Sequence, residues 1–140
     1  MKSCAIIGST KIAEIHVREF LENGVSDITV ISRNKKKSKK FSQHLTSKFN
    51  KKIKFSSLRI FDKKNFNFVS ICSNANYHLE NLIRIKNRNT KILVEKPLIP
   101  LKNLTNIKEV LDKIYYNYPN LFISYPMFYL SNFFSKNFKI

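Results

Sequence analysis

Apolar positions along this chain switch between two spacings. Cys4-Ala5-Ile6-Ile7 is a continuous apolar run ended by Gly8, which predicts a strand buried on both faces. Ala13, Val17, Phe20 and Leu21 then recur at helical spacing, and Gly24 stands where a helix C-cap glycine belongs. Ile28-Thr29-Val30-Ile31 is β-branched throughout and predicts a second strand. The opening reads strand, tight turn, helix, strand, which is a βαβ unit.

The alternation continues. Phe41, Leu45 and Phe49 place one apolar stripe on a helix entered through Asn34 to Lys40, a run of five lysines broken only by Ser38. Lysines at a helix start oppose the macrodipole, so this run either lies outside the helix, as a solvated basic loop, or meets an anion. Lys54 to Phe61 is weakly strand-like, and Asp62 to Asn67 is a polar connection. Phe68-Val69-Ser70-Ile71-Cys72 predicts a strand, Ser73-Asn74-Ala75-Asn76 a polar turn, and Leu79, Leu82, Ile83 and Lys86 a helix. Lys91 to Val94 predicts the next strand, then Leu104, Ile107, Leu111, Ile114 and Tyr118 a helix with Asn103 or Thr105 near its start, and Leu121 to Tyr125 a last strand.

Strands and helices alternating through short connections predict an α/β fold: a doubly wound parallel sheet of Rossmann type, three layers deep. A ligand of such a sheet lies at the carboxyl ends of its strands. Every sharp turn falls there: Gly8, Ser32-Arg33, Cys72-Ser73-Asn74 and Glu95-Lys96-Pro97.

Composition narrows the partners. Lys and Arg total 26 against 9 Asp and Glu, a formal charge of +17, which ordinarily raises nucleic acid or an anionic membrane. Yet 21 of the 26 are Lys, with 16 Asn and 17 Ile beside them. Nucleic-acid readers favour Arg, which grips phosphate and guanine in a bidentate way, so the excess reads as compositional drift and nucleic acid is disfavoured. Cys4 and Cys72 lie inside apolar runs and make no disulfide framework, which fits a reducing cytosol. The longest apolar stretch, Leu121 to Leu130, contains Ser124 and Pro126 and falls short of the roughly 20 residues a membrane span needs. A cytoplasmic protein is expected.

Two constellations carry chemistry. Gly8-Ser9-Thr10-Lys11-Ile12-Ala13 occupies the place of a dinucleotide fingerprint, whose glycines permit the turn, the approach of pyrophosphate and close helix packing. Only the first position is Gly; Ala13 is accepted at the third, but Thr10 at the second puts a side chain where backbone normally meets phosphate. A ligand-free strand-turn-helix is the competing reading. Val94-Glu95-Lys96-Pro97 sets a charged pair at the end of a buried strand, and ionic groups placed there mark a site. Two separated cysteines and the scattered His16, His44 and His78 give no metal-ligand spacing, so no metal is expected.

Together these residues resemble the glucose-fructose oxidoreductase, inositol dehydrogenase and rhizopine catabolism family, Gfo/Idh/MocA, from Lys2 to about Tyr129. The likeness rests on Ile7 to His16, on Ile71-Cys72-Ser73-Asn74-Ala75-Asn76-Tyr77-His78, on Val94-Glu95-Lys96-Pro97, and on Ile123-Ser124-Tyr125-Pro126-Met127-Phe128-Tyr129, which is similar to the strand leading into the family's second domain. It implies that Lys96 is the catalytic residue, reaching the nicotinamide ribose and the substrate hydroxyl or carbonyl. Glu95 would hold the turn, and Pro97 would follow a cis peptide bond. Cofactor contacts are implied at Gly8, Ser9, Thr10, Lys11 and Ile12, at Ser32 and Arg33, at Cys72, Ser73 and Asn74, and at Glu95, Lys96 and Pro97, with His78 nearby. After the second strand the family uses an acid for ribose hydroxyls, and small polar or basic residues suit a 2′-phosphate. Ser32-Arg33-Asn34 and Lys35 to Lys37 replace that acid, so NADP is favoured over NAD, with Arg33 forking phosphate and stacking on adenine.

The resemblance also implies a partition: residues 1–125 as the dinucleotide-binding domain, and 126–140 as the stub of an α+β substrate domain that the chain lacks. The expected function is the nucleotide-binding half of an oxidoreductase that passes hydride to or from a sugar or polyol. Little turnover is expected alone. Phe128, Tyr129, Phe133, Phe134 and Phe138 would lack a packing partner, favouring self-association or a separately encoded second half. A catalytically silent dinucleotide module and a basic nucleic-acid-binding protein are the competing functions.

Overall fold

The computed structural model describes residues 2–100 and 106–124, and its strands fall where the apolar runs require them. These are β1 (Ser3–Ile7), β2 (Asp27–Ser32), β3 (Lys54–Ser57), β4 (Phe68–Ile71), β5 (Lys91–Glu95) and β6 (Leu121–Ser124). They pair in parallel in the order β3-β2-β1-β4-β5-β6. This is the doubly wound Rossmann order. Its direction of winding reverses between β1 and β4, where the register sets Ile7 beside Ile31 of β2 and Ile71 of β4.

Side chains alternate across the sheet, so each strand feeds two cores. Cys4, Ile6, Ile28, Val30, Phe68 and Leu93 meet α1 (Lys11–Glu22) and α2 (Lys35–Phe49) through Val17, Phe20 and Leu45. On the other face, Ala5, Ile7, Ile31, Val69, Ile71, Ile92 and Val94 pack with residues of α3 (Leu58–Phe61), α4 (His78–Ile83) and α5 (Ile107–Asn117). Ile6, Ile28, Ile31 and Leu45 are fully buried, and each such side chain contributes roughly 1.5–3 kcal/mol. Among the described residues no helix is long and apolar enough to cross a membrane.

Local chemistry ends the helices. The amide of Val25 donates to the Phe20 carbonyl and that of Gly24 to the Leu21 carbonyl, a Schellman closure with Gly24 at φ +79° one residue beyond the cap Asn23. Asn50 closes α2 in the left-handed region, at φ 50°. The lysine run does not form a loop outside the helix: Asn34 is the N-cap, its side chain accepting from the Lys36 and Lys37 amides, so Lys35 already begins α2. Lys54 to Phe61 divides into β3 and the single turn α3, a helix too short to show periodicity in sequence. The expected positions Asn103, Leu104, Thr105 and Tyr125, and the segment 126–140 with its aromatic side chains, lie outside the described residues.

Gly8 is required where β1 and β4 meet. Its φ is +130°, and a Cβ there would stand 2.6 Å from the Cys72 carbonyl oxygen and 2.9 Å from the Ser73 nitrogen. Gly8→Ala is therefore expected to lose about 2 kcal/mol or more of stability. The loss will be read as a lower urea midpoint at unchanged slope.

Candidate functional site

The carboxyl ends of β1, β2 and β4 enclose a groove of about 380 Å³, lined among others by Gly8, Ser9, Thr10, Arg33, Asn74 and Tyr77. Its floor is the β1 turn, from which α1 rises. Thr10, in the place of a fingerprint glycine, does not block the groove with its side chain. Its hydroxyl donates to the Cys72 carbonyl (3.1 Å) and accepts from the Ala13 amide (3.2 Å), so it serves as the N-cap of α1. The capped helix still presents its first amides, Lys11 and Ile12, which have no partner within the helix, and such amides favour phosphate.

One wall comes from the end of β2. Ser32, Arg33, Asn34 and Lys37 line it, and none of the described lining residues is a carboxylate. The guanidinium of Arg33 lies 3.4 Å from the ring centroid of Tyr77, so Arg33 spans the groove onto the β4 side. There Asn74 caps the short 3-10 turn Ala75–Tyr77 by accepting from the Asn76 amide, and Asn81 of α4 donates to the Ser73 hydroxyl (3.0 Å).

The second cluster is the turn after β5. Lys96 and Pro97 are exposed, and the peptide between them is cis, as the resemblance implies. Glu95 is half-buried and turns beneath α1, where His16 Nε2 donates to its Oε1 at 2.9 Å. The ring of His16 is fully buried. Its Nδ1 meets the Ser70 hydroxyl at 2.6 Å and the Cys72 sulfur at 3.3 Å.

A family model described as an oxidoreductase family with an NAD-binding Rossmann fold, GFO_IDH_MocA, matches residues 2–125. The chain belongs to the Gfo/Idh/MocA family. The solved structures it resembles include a myo-inositol dehydrogenase from Lactobacillus casei in complex with NAD(H) and myo-inositol. That match has a TM-score of 0.68 and 15% identity over 89% of this chain and 37% of that one. A myo-inositol dehydrogenase from Corynebacterium glutamicum matches with TM-score 0.67 and 15% identity, over 89% of this chain and 36% of that one. An oxidoreductase from Agrobacterium radiobacter in complex with NAD+, L-tartaric acid and magnesium matches with TM-score 0.65 and 16% identity, over 87% and 34%. At such identities these likenesses carry the fold. No curated protein matches the chain significantly. The chain spans about a third of the length of these structures.

Within this Gfo/Idh/MocA domain the residues singled out by sequence separate into three groups. Gly8, Ser9, Thr10, Ser32, Arg33, Ser73 and Asn74 line one groove. Lys11 begins α1, Glu95 ends β5, and Lys96 and Pro97 follow it. Cys72 and His78 are both buried, each 1% exposed. The Cys72 sulfur lies against His16 of α1, while the two ring nitrogens of His78 stand 2.8 and 2.7 Å from the carbonyls of Pro97 and Ser73. Ile12 packs against the core beneath α1. Sequence reasoning placed Asn34 and Lys37 at the 2′ end but left Tyr77, Asn81 and the role of His16 out of the site. Asn34 had a readable signal, an N-cap residue directly before a helix.

The buried pair is electrostatically matched. Burial opposes a charge on His16, but the Cys72 sulfur and the Glu95 carboxylate beside it prevail and push its pKa up to about 10. Burial raises that of Glu95, and the hydrogen bond and charge of His16, aided by Ser124 and the Lys96 amide, bring it below the usual carboxylate value of 4.5. With its folded value above 6.5, the stability His16 contributes is complete below pH 6.5 and lost as pH rises through about 10. Unfolding free energies measured across that window are therefore expected to fall more steeply for the native chain than for His16→Gln.

Proposed function

We propose that this domain binds NADP in preference to NAD and presents it for hydride transfer to or from the hydroxyl or carbonyl carbon of a sugar or polyol. The observation that carries the cofactor reading is the groove wall built by Ser32, Arg33, Asn34 and Lys37, without a described carboxylate. A carboxylate there would pair with the ribose hydroxyls of NAD and repel a 2′-phosphate. A guanidinium and an ammonium at the same place offer that phosphate a fork and a point charge. The groove fits such a group. Gly8 lets the β1 turn at its floor close against the Cys72–Ser73 backbone, and the amides of Lys11 and Ile12 would hold the pyrophosphate.

When bound, a nicotinamide dinucleotide supplies the hydride acceptor or donor. The work of this chain is to bind it, orient it and handle the proton. Lys96, exposed at the end of β5 on a turn anchored by Glu95 and Pro97, would hold the nicotinamide ribose and give or take the proton of the reacting hydroxyl. The substrate class rests on the family and on the inositol bound in the Lactobacillus structure. The chain spans about a third of the length of those enzymes. Turnover would then require a second domain, supplied by another chain or by more of this one.

Fluorescence titration tests the cofactor preference. NADPH is expected to bind at least about tenfold more tightly than NADH, an advantage of one charge-assisted contact or more. Arg33→Asp should remove that preference or reverse it, leaving the melting temperature within a few degrees because Arg33 is exposed. Equal affinities in the native chain would refute the preference for NADP.

A further inference from the structure

The turn that carries Lys96 is held from both faces of the sheet by buried histidines. Glu95 follows Leu93 on the face covered by α1, and there its carboxylate meets His16. On the opposite face His78, the first residue of α4, meets the Pro97 carbonyl with Nδ1 and the Ser73 carbonyl with Nε2. His16 and His78 are 0% and 1% exposed. Lys96, the residue between their two anchor points, is exposed. Each histidine also meets the β4 segment, His16 at Ser70 and Cys72 and His78 at Ser73, which lines the groove.

A buried polar side chain is costly unless its partners are supplied. An apolar residue on α1 beside Val17 would have filled the same space at no such cost. Here the partners bring two parts of the proposed site together. We infer that His16 and His78 are positioning residues, which fix the Glu95-Lys96-Pro97 turn relative to the nucleotide groove so that Lys96 is held at the nicotinamide end. This rests on the dinucleotide reading above for the identity of the ligand, but the coupling itself does not. The titratable side chains in contact with His16 are Glu95 from β5 and Cys72, just after β4, and Glu95 is further held by Ser124 of β6 and the Lys96 amide.

His16→Gln can keep both contacts, its amide donating to Glu95 and its carbonyl accepting from Ser70, whereas His16→Leu keeps neither. The test uses the full 140-residue chain. In amide proton-nitrogen spectra without any ligand, the Lys96 resonance is expected to shift or broaden in His16→Leu and in His78→Leu, and to return near its native position in His16→Gln. Binding supplies the second readout, with NADPH compared against 2′,5′-ADP, which lacks the nicotinamide half. His16→Leu should lower NADPH affinity about tenfold, the scale of one lost buried contact, while 2′,5′-ADP binds as before and Gln restores the NADPH value.

A folded His16→Leu with an unmoved Lys96 resonance overturns the inference, and so does an equal loss for both ligands. If Leu prevents folding, Glu95→Gln and His16→Asn take its place under the same criteria. A native chain that binds neither ligand refutes the dinucleotide reading alone, since the Lys96 resonance needs no ligand to report the coupling.

Discussion

The absence of one carbon atom at position 8 governs the shape of the site. Gly8 brings the β1 turn so near the Cys72 carbonyl that any side chain would collide with it, and this contact lets the ends of two adjacent parallel strands meet at the point where the winding reverses. The same carbonyl accepts the Thr10 hydroxyl, which caps α1 and so aims its first amides into the groove. A replacement that would obstruct phosphate if its side chain pointed outward is harmless when that side chain turns back to satisfy the helix. The family's second glycine can be given up on this condition, whereas the first cannot.

The sheet separates two kinds of chemistry along its upper rim. At the β1 and β2 ends the charges stand in solvent on Arg33 and the α2 lysines, suited to a mobile anion. At the β5 end the charges of Glu95 and His16 are withdrawn beneath a helix and matched to each other. Exposed charges attract a ligand; buried ones fix a geometry. Lys96 combines the two, exposed at its side chain and bound on both flanks through its neighbours.

The strands were legible because strands buried on both faces are written as continuous apolar runs, and Cys4 to Ile7 or Lys91 to Val94 can hardly be read otherwise. The βαβ opening and the glycine closing it followed from neighbours only a few residues apart. What escaped notice depended on distance along the chain. The partners of His16 lie 54 and 79 residues away, so sequence alone leaves it a lone histidine on a helix. Arg33 was legible as a basic residue after a strand, but Tyr77, which it covers, sits beyond β4 within a polar turn. α3 was hidden by brevity, and the placement of the lysines inside α2 by the macrodipole argument, which Asn34 outweighs locally.

The lysines of α2 bear on more than recognition. Lys35, Lys36 and Lys37 occupy the first turn of a helix whose dipole repels them, with no acidic residue in that turn. In a chain with formal charge +17, that repulsion is a standing cost of the folded state. An anion settling at the α2 start relieves part of it, and a ligand that binds only the folded state shifts the folding equilibrium by mass action. An anion held there would therefore tighten the fold as well as fill the groove, and the α2 start would be where the binding of a ligand and the stability of the domain meet.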